Sequence, residues 1–126
     1  MQRYAICFRV QPGSEETVAG FLASYASPNW YVDEDTRLVS TSVFMQGNLV
    51  VRLIEIEGDF RKVVAHLSQD PNIQDVERKI QPYLADGEER DLSSPDGARE
   101  FFRRAMMRTI TTRYAAADSL ATARKD

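Results

Sequence analysis

The sequence predicts an α+β domain in which an antiparallel sheet carries its helices on one face. Three features predict it: a period-two run near the start, a hairpin signature in the middle, and apolar stripes at helical spacing around both. Their order is strand, helix, two hairpin strands, helix, then a further helix or strand.

Residues 3–10 read as the first strand. Tyr4, Ile6, Phe8 and Val10 alternate with Ala5, Cys7 and Arg9, which places one set on a core face. Gln11-Pro12-Gly13 stops the strand, and Ser14 stands where a hydroxyl can accept from the free amides of a helix start, with Glu15 and Glu16 in the first turn. Val18, Phe21, Leu22 and Tyr25 follow at helical spacing, so a helix is expected over about residues 15–26, closed by Ser27-Pro28-Asn29. Trp30 to Val32 and the acidic Asp33 to Asp35 form a connecting loop.

Two runs rich in Val, Leu, Ile and Thr come next, Arg37 to Met45 and Leu49 to Glu57. Gln46-Gly47-Asn48 between them is hairpin chemistry, because Gly and Asn accept positive φ. Asp59 then caps a helix whose stripe is Phe60, Val63, Val64 and Leu67. Asp70-Pro71-Asn72 interrupts it, and Ile73, Val76, Ile80 and Leu84 predict a second helical piece that Pro82 must end or kink. A short strand is expected around Arg90 to Ser93. Ser94-Pro95-Asp96 opens a last helix, with Ala98, Phe102, Ala105, Met106 and Ile110 on one face, expected over about residues 95–114. Residues 1–114 thus form one domain, and 115–126, poor in large apolar residues, read as a flexible tail.

A chain of 126 residues buries roughly two-thirds of its unfolded surface, enough for a thin core. The strand around Val50 to Ile56 carries apolar residues on both parities, so the sheet face away from the helices also needs cover. Sheet-to-sheet pairing of two copies, in the manner of a ferredoxin-like dimeric α+β barrel, would supply it.

Composition excludes more chemistry than it suggests. One cysteine allows no internal disulfide, and one histidine beside it leaves no zinc site of the usual Cys/His kind; no metal is expected, and a reducing, cytoplasmic setting is. The start MQRYAICFRV has no export-signal pattern, and no run approaches about 18 apolar residues, so no membrane association is expected. Neither G-x-G-x-x-G nor a P-loop occurs, which removes the usual nucleotide cofactor sites; no cofactor is expected. At a formal charge of −3 and a pI near 5.2, nucleic-acid binding is not expected either.

A few residues remain as candidates for chemistry. His66 borders the apolar stripe of its helix and is the obvious near-neutral base; the alternative is a partly exposed helical histidine. Arg37 and Arg52 lie inside strands, where an inward charge needs a partner or a ligand and can hold a developing oxyanion; either can equally face solvent or pair with Glu55 or Glu57. Trp30, Tyr31, Tyr25, Phe44 and Tyr83 are available to line a flat aromatic pocket, although core packing also accounts for Phe44. In the last helix Arg99, Arg103, Arg104, Arg108 and Arg113 stand against Glu100 alone. This basic face is either a solvated helix surface or a docking site for an acidic partner, such as an acyl carrier protein or the Asp33 to Asp35 loop.

The stretch Thr41-Ser42-Val43-Phe44-Met45-Gln46-Gly47-Asn48-Leu49-Val50-Val51-Arg52-Leu53-Ile54-Glu55-Ile56-Glu57-Gly58-Asp59 resembles the SchA/CurD-like family of aromatic (type II) polyketide biosynthesis. So does Ser94-Pro95-Asp96-Gly97-Ala98-Arg99-Glu100-Phe101-Phe102-Arg103-Arg104-Ala105-Met106. Pro71 to Leu84, ending in Pro82-Tyr83-Leu84, is similar to tetracenomycin-type polyketide cyclases. The resemblance implies a ferredoxin-like dimeric barrel, a homodimer, and a tailoring role on a polycyclic aromatic polyketide of a spore pigment or antibiotic. Relatives on this fold imply two reactions. The first reading is a cofactor-independent monooxygenase that turns a polycyclic phenol into a quinone; the alternative is a cyclase or aromatase working through an enolate. A third possibility is a non-catalytic accessory subunit that meets the acyl carrier protein or other synthase components through Arg99, Arg103, Arg104 and Arg108.

Overall fold

The computed structural model describes residues 1–91 and 94–115. Strand β1 (Gln2–Arg9) leads through a turn into helix α1 (Glu15–Ser24), and strands β2 (Arg37–Gln46) and β3 (Leu49–Glu57) form the expected hairpin. Gly47 at its tip has φ +57, the left-handed value the turn demands. Helices α2 (Phe60–Gln69) and α3 (Pro71–Ile80) follow, then a 3-10 turn over Gln81–Tyr83 and helix α4 (Pro95–Ala105).

The strands pair antiparallel in the order β1-β3-β2. Pairing aligns Tyr4, Ile6 and Phe8 with Ile54, Arg52 and Val50, and these with Thr41, Val43 and Met45, all on the face that the helices cover. There Ile6, Phe8, Val50, Val18, Leu22, Val76, Ile80 and Phe101 make the larger core cluster, and Leu38, Ile56, Val63 and Leu67 the smaller. The opposite face carries Ala5, Cys7, Val51 and Leu53, all half-buried, with Phe44 exposed at the margin.

Caps explain where the helices begin. The Asp59 carboxylate accepts from the Arg61 amide, as the sequence predicts. Asp70, read in sequence only as part of a break, is the cap of α3 and accepts from the amides of Asn72 and Ile73. Ser14 departs from expectation: its hydroxyl donates back to the Gln11 carbonyl at 2.6 Å, a local turn bond that competes with capping. Gly58 at φ +103 packs so closely on the Asp35 carbonyl that a Cβ there would sit 2.4 Å from it.

The last helix ends at Ala105, well short of the expected residue 114. Thr109, Ile110, Thr111 and Thr112 are consecutive β-branched residues, which lose side-chain freedom in a helix and favour extended backbone. Met106 instead bridges antiparallel to Ile6, the Met107 amide donates to the Ala5 carbonyl, and the Tyr114 hydroxyl donates to the Met1 carbonyl. The segment therefore runs beside β1, in the place of a fourth strand at that sheet edge. Helix α1 likewise stops at Ser24, with Tyr25 already extended. Arg90 and Asp91 are not in a strand; Leu92 and Ser93, the rest of that expected strand, and 116–126, most of the expected tail, lie outside the described residues.

Candidate functional site

A cavity of about 180 Å³ lies between the sheet and the helices. Its floor is β1, β2 and β3, through Tyr4, Thr41, Arg52 and Ile54, and its roof comes from α2, α3, α4 and the segment around Arg90. Most of the wall is apolar. One end is charged: Arg52 Nη1 lies 2.7 Å from Glu77 Oε1, and Arg90 Nη1 contacts Glu77 Oε2.

This cluster is unusual in its burial. The side chains of Arg52 and Glu77 are 13% and 12% exposed, and that of Arg90 only 3%. The Arg90 guanidinium lies over the rings of Phe101, 3.5 Å from its centroid, and Phe8, at 4.5 Å. Its Nε and Nη2 are buried without a hydrogen-bond partner among the described residues. Gln81 holds the backbone of Arg90 by donating to its carbonyl at 2.6 Å and accepting from its amide.

Two cations share one carboxylate here, so the cluster carries a net positive charge in a largely apolar chamber. Burial, followed by repulsion from Arg52 and Arg104, pushes the Arg90 guanidinium well below its ordinary value. Arginine nevertheless stays protonated near neutral pH. The unrelieved cost is lowered by any anionic oxygen that enters beside the two guanidinium groups.

Of the residues singled out from sequence, the structure brings Arg52 and Tyr25 to this cavity, with the Arg52 guanidinium 5.9 Å from the centre of the Tyr25 ring. Trp30 and Phe44 stand with Tyr25 in a neighbouring open groove instead. His66 is not in the cavity wall: its Nε2 donates to the Asn29 carbonyl at 2.8 Å and ties the loop before Trp30 to α2. Arg37 pairs with Glu57 at 2.9 Å on the open side of the sheet, about half exposed. Tyr31 is largely exposed and bridges to Arg37, and Tyr83 packs on Phe21 at the core margin. Arg99 and Arg103 pair within α4 with Asp96 and Glu100, while Arg104 donates to the Glu89 carbonyl. The acidic loop meets a different cation, Lys62, through Asp33.

Sequence reasoning missed Glu77 and Arg90. Glu77 left a signal, since it follows Ile73 by four residues and precedes Ile80 by three, placing a carboxylate on the buried stripe of α3. Arg90 left none, being one charge in a polar connection.

A family model described as the SchA/CurD-like domain matches residues 1–115. Over 108 residues the chain is 45% identical to "Polyketide synthase CurD" of Streptomyces cyaneus and 43% identical to a 42.8 kDa protein in the whiE locus of Streptomyces coelicolor. Each match covers 86% of this chain but only 29% and 27% of those relatives, so the chain spans just over a quarter of their length. Among solved structures it is similar to tetracenomycin F2 cyclase of Streptomyces glaucescens, a type II polyketide cyclase. That likeness has a TM-score of 0.60 at 17% identity, covering 92% of this chain and all of the other. It establishes a shared ferredoxin-like α+β fold.

Proposed function

The chain belongs to the SchA/CurD-like domain family, and from that premise we propose that it is a polyketide cyclase that closes a ring through an enolate held by Arg52 and Arg90. The observation that carries this reading is the buried Arg52–Glu77–Arg90 cluster, two cations and one carboxylate at the end of an apolar chamber. A poly-β-ketone substrate has acidic protons between its carbonyls, so enolisation needs a modest base and a place for negative charge.

In this reading a ketone oxygen of the substrate sits against the two guanidinium groups. A Glu77 oxygen takes the proton from the neighbouring carbon, and the charge moves to the ketone oxygen as the enolate forms. The enolate carbon then bonds to a second carbonyl of the same molecule. That bond closes the ring; the new alkoxide takes the proton back from Glu77, and loss of water leaves a carbon–carbon double bond in the ring. The net oxidation level of the molecule is unchanged, and no cofactor enters the balance.

The monooxygenase reading would use the same base and cations on a phenol. Cyclisation is preferred because a solved structure that shares this fold is a polyketide cyclase and the cluster meets the needs of an aldol step. The test is incubation of purified protein with the intermediate that accumulates when the protein is left out of a reconstituted pathway. Loss of water without oxygen uptake supports cyclisation; gain of oxygen with O₂ consumption overturns it in favour of the oxygenase.

We infer also that the open sheet face, with Ala5, Cys7, Val51 and Leu53 half-buried, packs on a second copy. Placing a carboxylate on that face by Val51→Asp is expected to yield monomer in sedimentation; an unchanged mass would rule that face out.

A further inference from the structure

The cavity holds too little for a polycyclic substrate. An apolar chamber of roughly 150 Å³ accommodates one benzene ring, and this one measures about 180 Å³. A second, more open space of about 400 Å³ lies beside it, between α1, the Ser27–Trp30 stretch and β2. Tyr25 and Thr41 line both.

The groove is built of flat and small surfaces. Ala19 and Ala23 of α1 leave one wall shallow, and Trp30, 37% exposed, supplies a broad apolar face, with Phe44 at the strand margin. A large exposed aromatic residue in a concave patch of small and apolar residues marks a binding surface. The loop that carries Trp30 is held from three directions: the Asp70 carboxylate accepts from the Asn29 amide, His66 donates to the Asn29 carbonyl, and Asn72 donates to the Ser27 carbonyl. Such anchoring keeps an exposed ring in place before a ligand arrives.

We propose that cavity and groove are one bipartite site: the cavity takes the single ring being closed, and the groove takes the planar fused rings or remaining chain of the same molecule, stacked against Trp30. The proposal rests on the cyclase reading for the cavity and adds the ligand class and register. Tyr25 is the divider, with Arg52 beside its ring on the cavity side and Trp30 in the groove beyond. His66 and Asp70 are positioning residues that act through the loop.

Trp30 is the one tryptophan in the chain, so its fluorescence reports on the groove alone. The probes are resorcinol, a one-ring diol, and alizarin, a three-ring diol, with affinities measured by calorimetry. Both should lose affinity in Arg52→Leu. Alizarin should quench Trp30 and resorcinol should not. Ala23→Phe, at an exposed helix position, should keep the thermal transition, weaken alizarin about tenfold and leave resorcinol within about twofold. Arg52-dependent alizarin binding that neither quenches Trp30 nor responds to Ala23→Phe would overturn the bipartite site and leave the cyclase reading standing. Binding of neither probe in an Arg52-dependent way would overturn both. A dimer that Trp30→Ala dissociates, with Trp30 emission unmoved by alizarin, would assign the groove to a second copy and overturn the proposal.

Discussion

On the helix-covered face of the sheet Arg52 is mostly buried and pairs with Glu77, while on the open face Arg37 is about half exposed and pairs with Glu57. Both arginines sit in strands of the same hairpin and both have a carboxylate within 3 Å. The difference between them is water. An exposed pair gains roughly 0–1 kcal/mol and is screened; a buried pair with a second arginine beside it holds uncompensated charge that a ligand can relieve. The ion pair as such identifies nothing, and the desolvation around it distinguishes the two faces.

The largest break in that contrast should come from Glu77→Leu. Removing the carboxylate leaves Arg52 and Arg90 facing each other in an apolar chamber, and stability should fall by about 3–5 kcal/mol in chemical denaturation. Arg52→Leu is gentler on the fold, because Glu77 and Arg90 remain as a balanced pair. Its effect should fall on cyclisation, which should drop about 10²–10³-fold, the cost of losing one preorganised oxyanion donor. His66→Ala releases one tie on the loop of Trp30 and should raise KM a few-fold, with kcat within about threefold; a collapse of kcat would restore His66 as the base. Arg37→Ala should leave the denaturation midpoint within experimental error of wild type and leave turnover alone.

Acid titration sharpens the same comparison on the open face. The Arg37 guanidinium holds the Glu57 carboxyl below its usual range, and the Ser40 hydroxyl followed by Arg3 does so for Glu55. Because the folded state binds these protons less readily than the unfolded chain, the stabilisation is present above the ordinary carboxylate range and is lost as pH falls through the folded values. Melts of Arg37→Ala and wild type should therefore converge as pH drops through that range and stay parallel near neutrality.

Local patterns made most of the fold legible. Period-two runs placed β1 and the hairpin, Gly47 marked its turn, and Asp59 and Ser94 marked two helix starts, because each signal lies within a few residues of what it specifies. The end of α4 is not legible: Phe102 and Met106 continue the helical spacing, yet Met106 lies opposite Ile6 and the Met107 amide donates to the Ala5 carbonyl of β1, about a hundred residues earlier. The site was less legible for the same reason. Arg52 was visible as a charge in a strand, but nothing local separated it from Arg37. Glu77 and Arg90 reach it from α3 and a polar connection, and only the folded chain brings the three together. Trp30 is legible as an aromatic residue in a loop, while its placement depends on Asp70, His66 and Asn72 from two other elements.

Cyclisation at the Arg52–Glu77–Arg90 cluster is tested by the product made from the accumulated pathway intermediate by wild type, Arg52→Leu and Arg37→Ala, each confirmed folded and assayed by mass with dissolved oxygen recorded. Wild type and Arg37→Ala should give a product lighter by one water with no oxygen uptake, and Arg52→Leu should be nearly inactive. Full activity in Arg52→Leu, or a product heavier by oxygen, would contradict it.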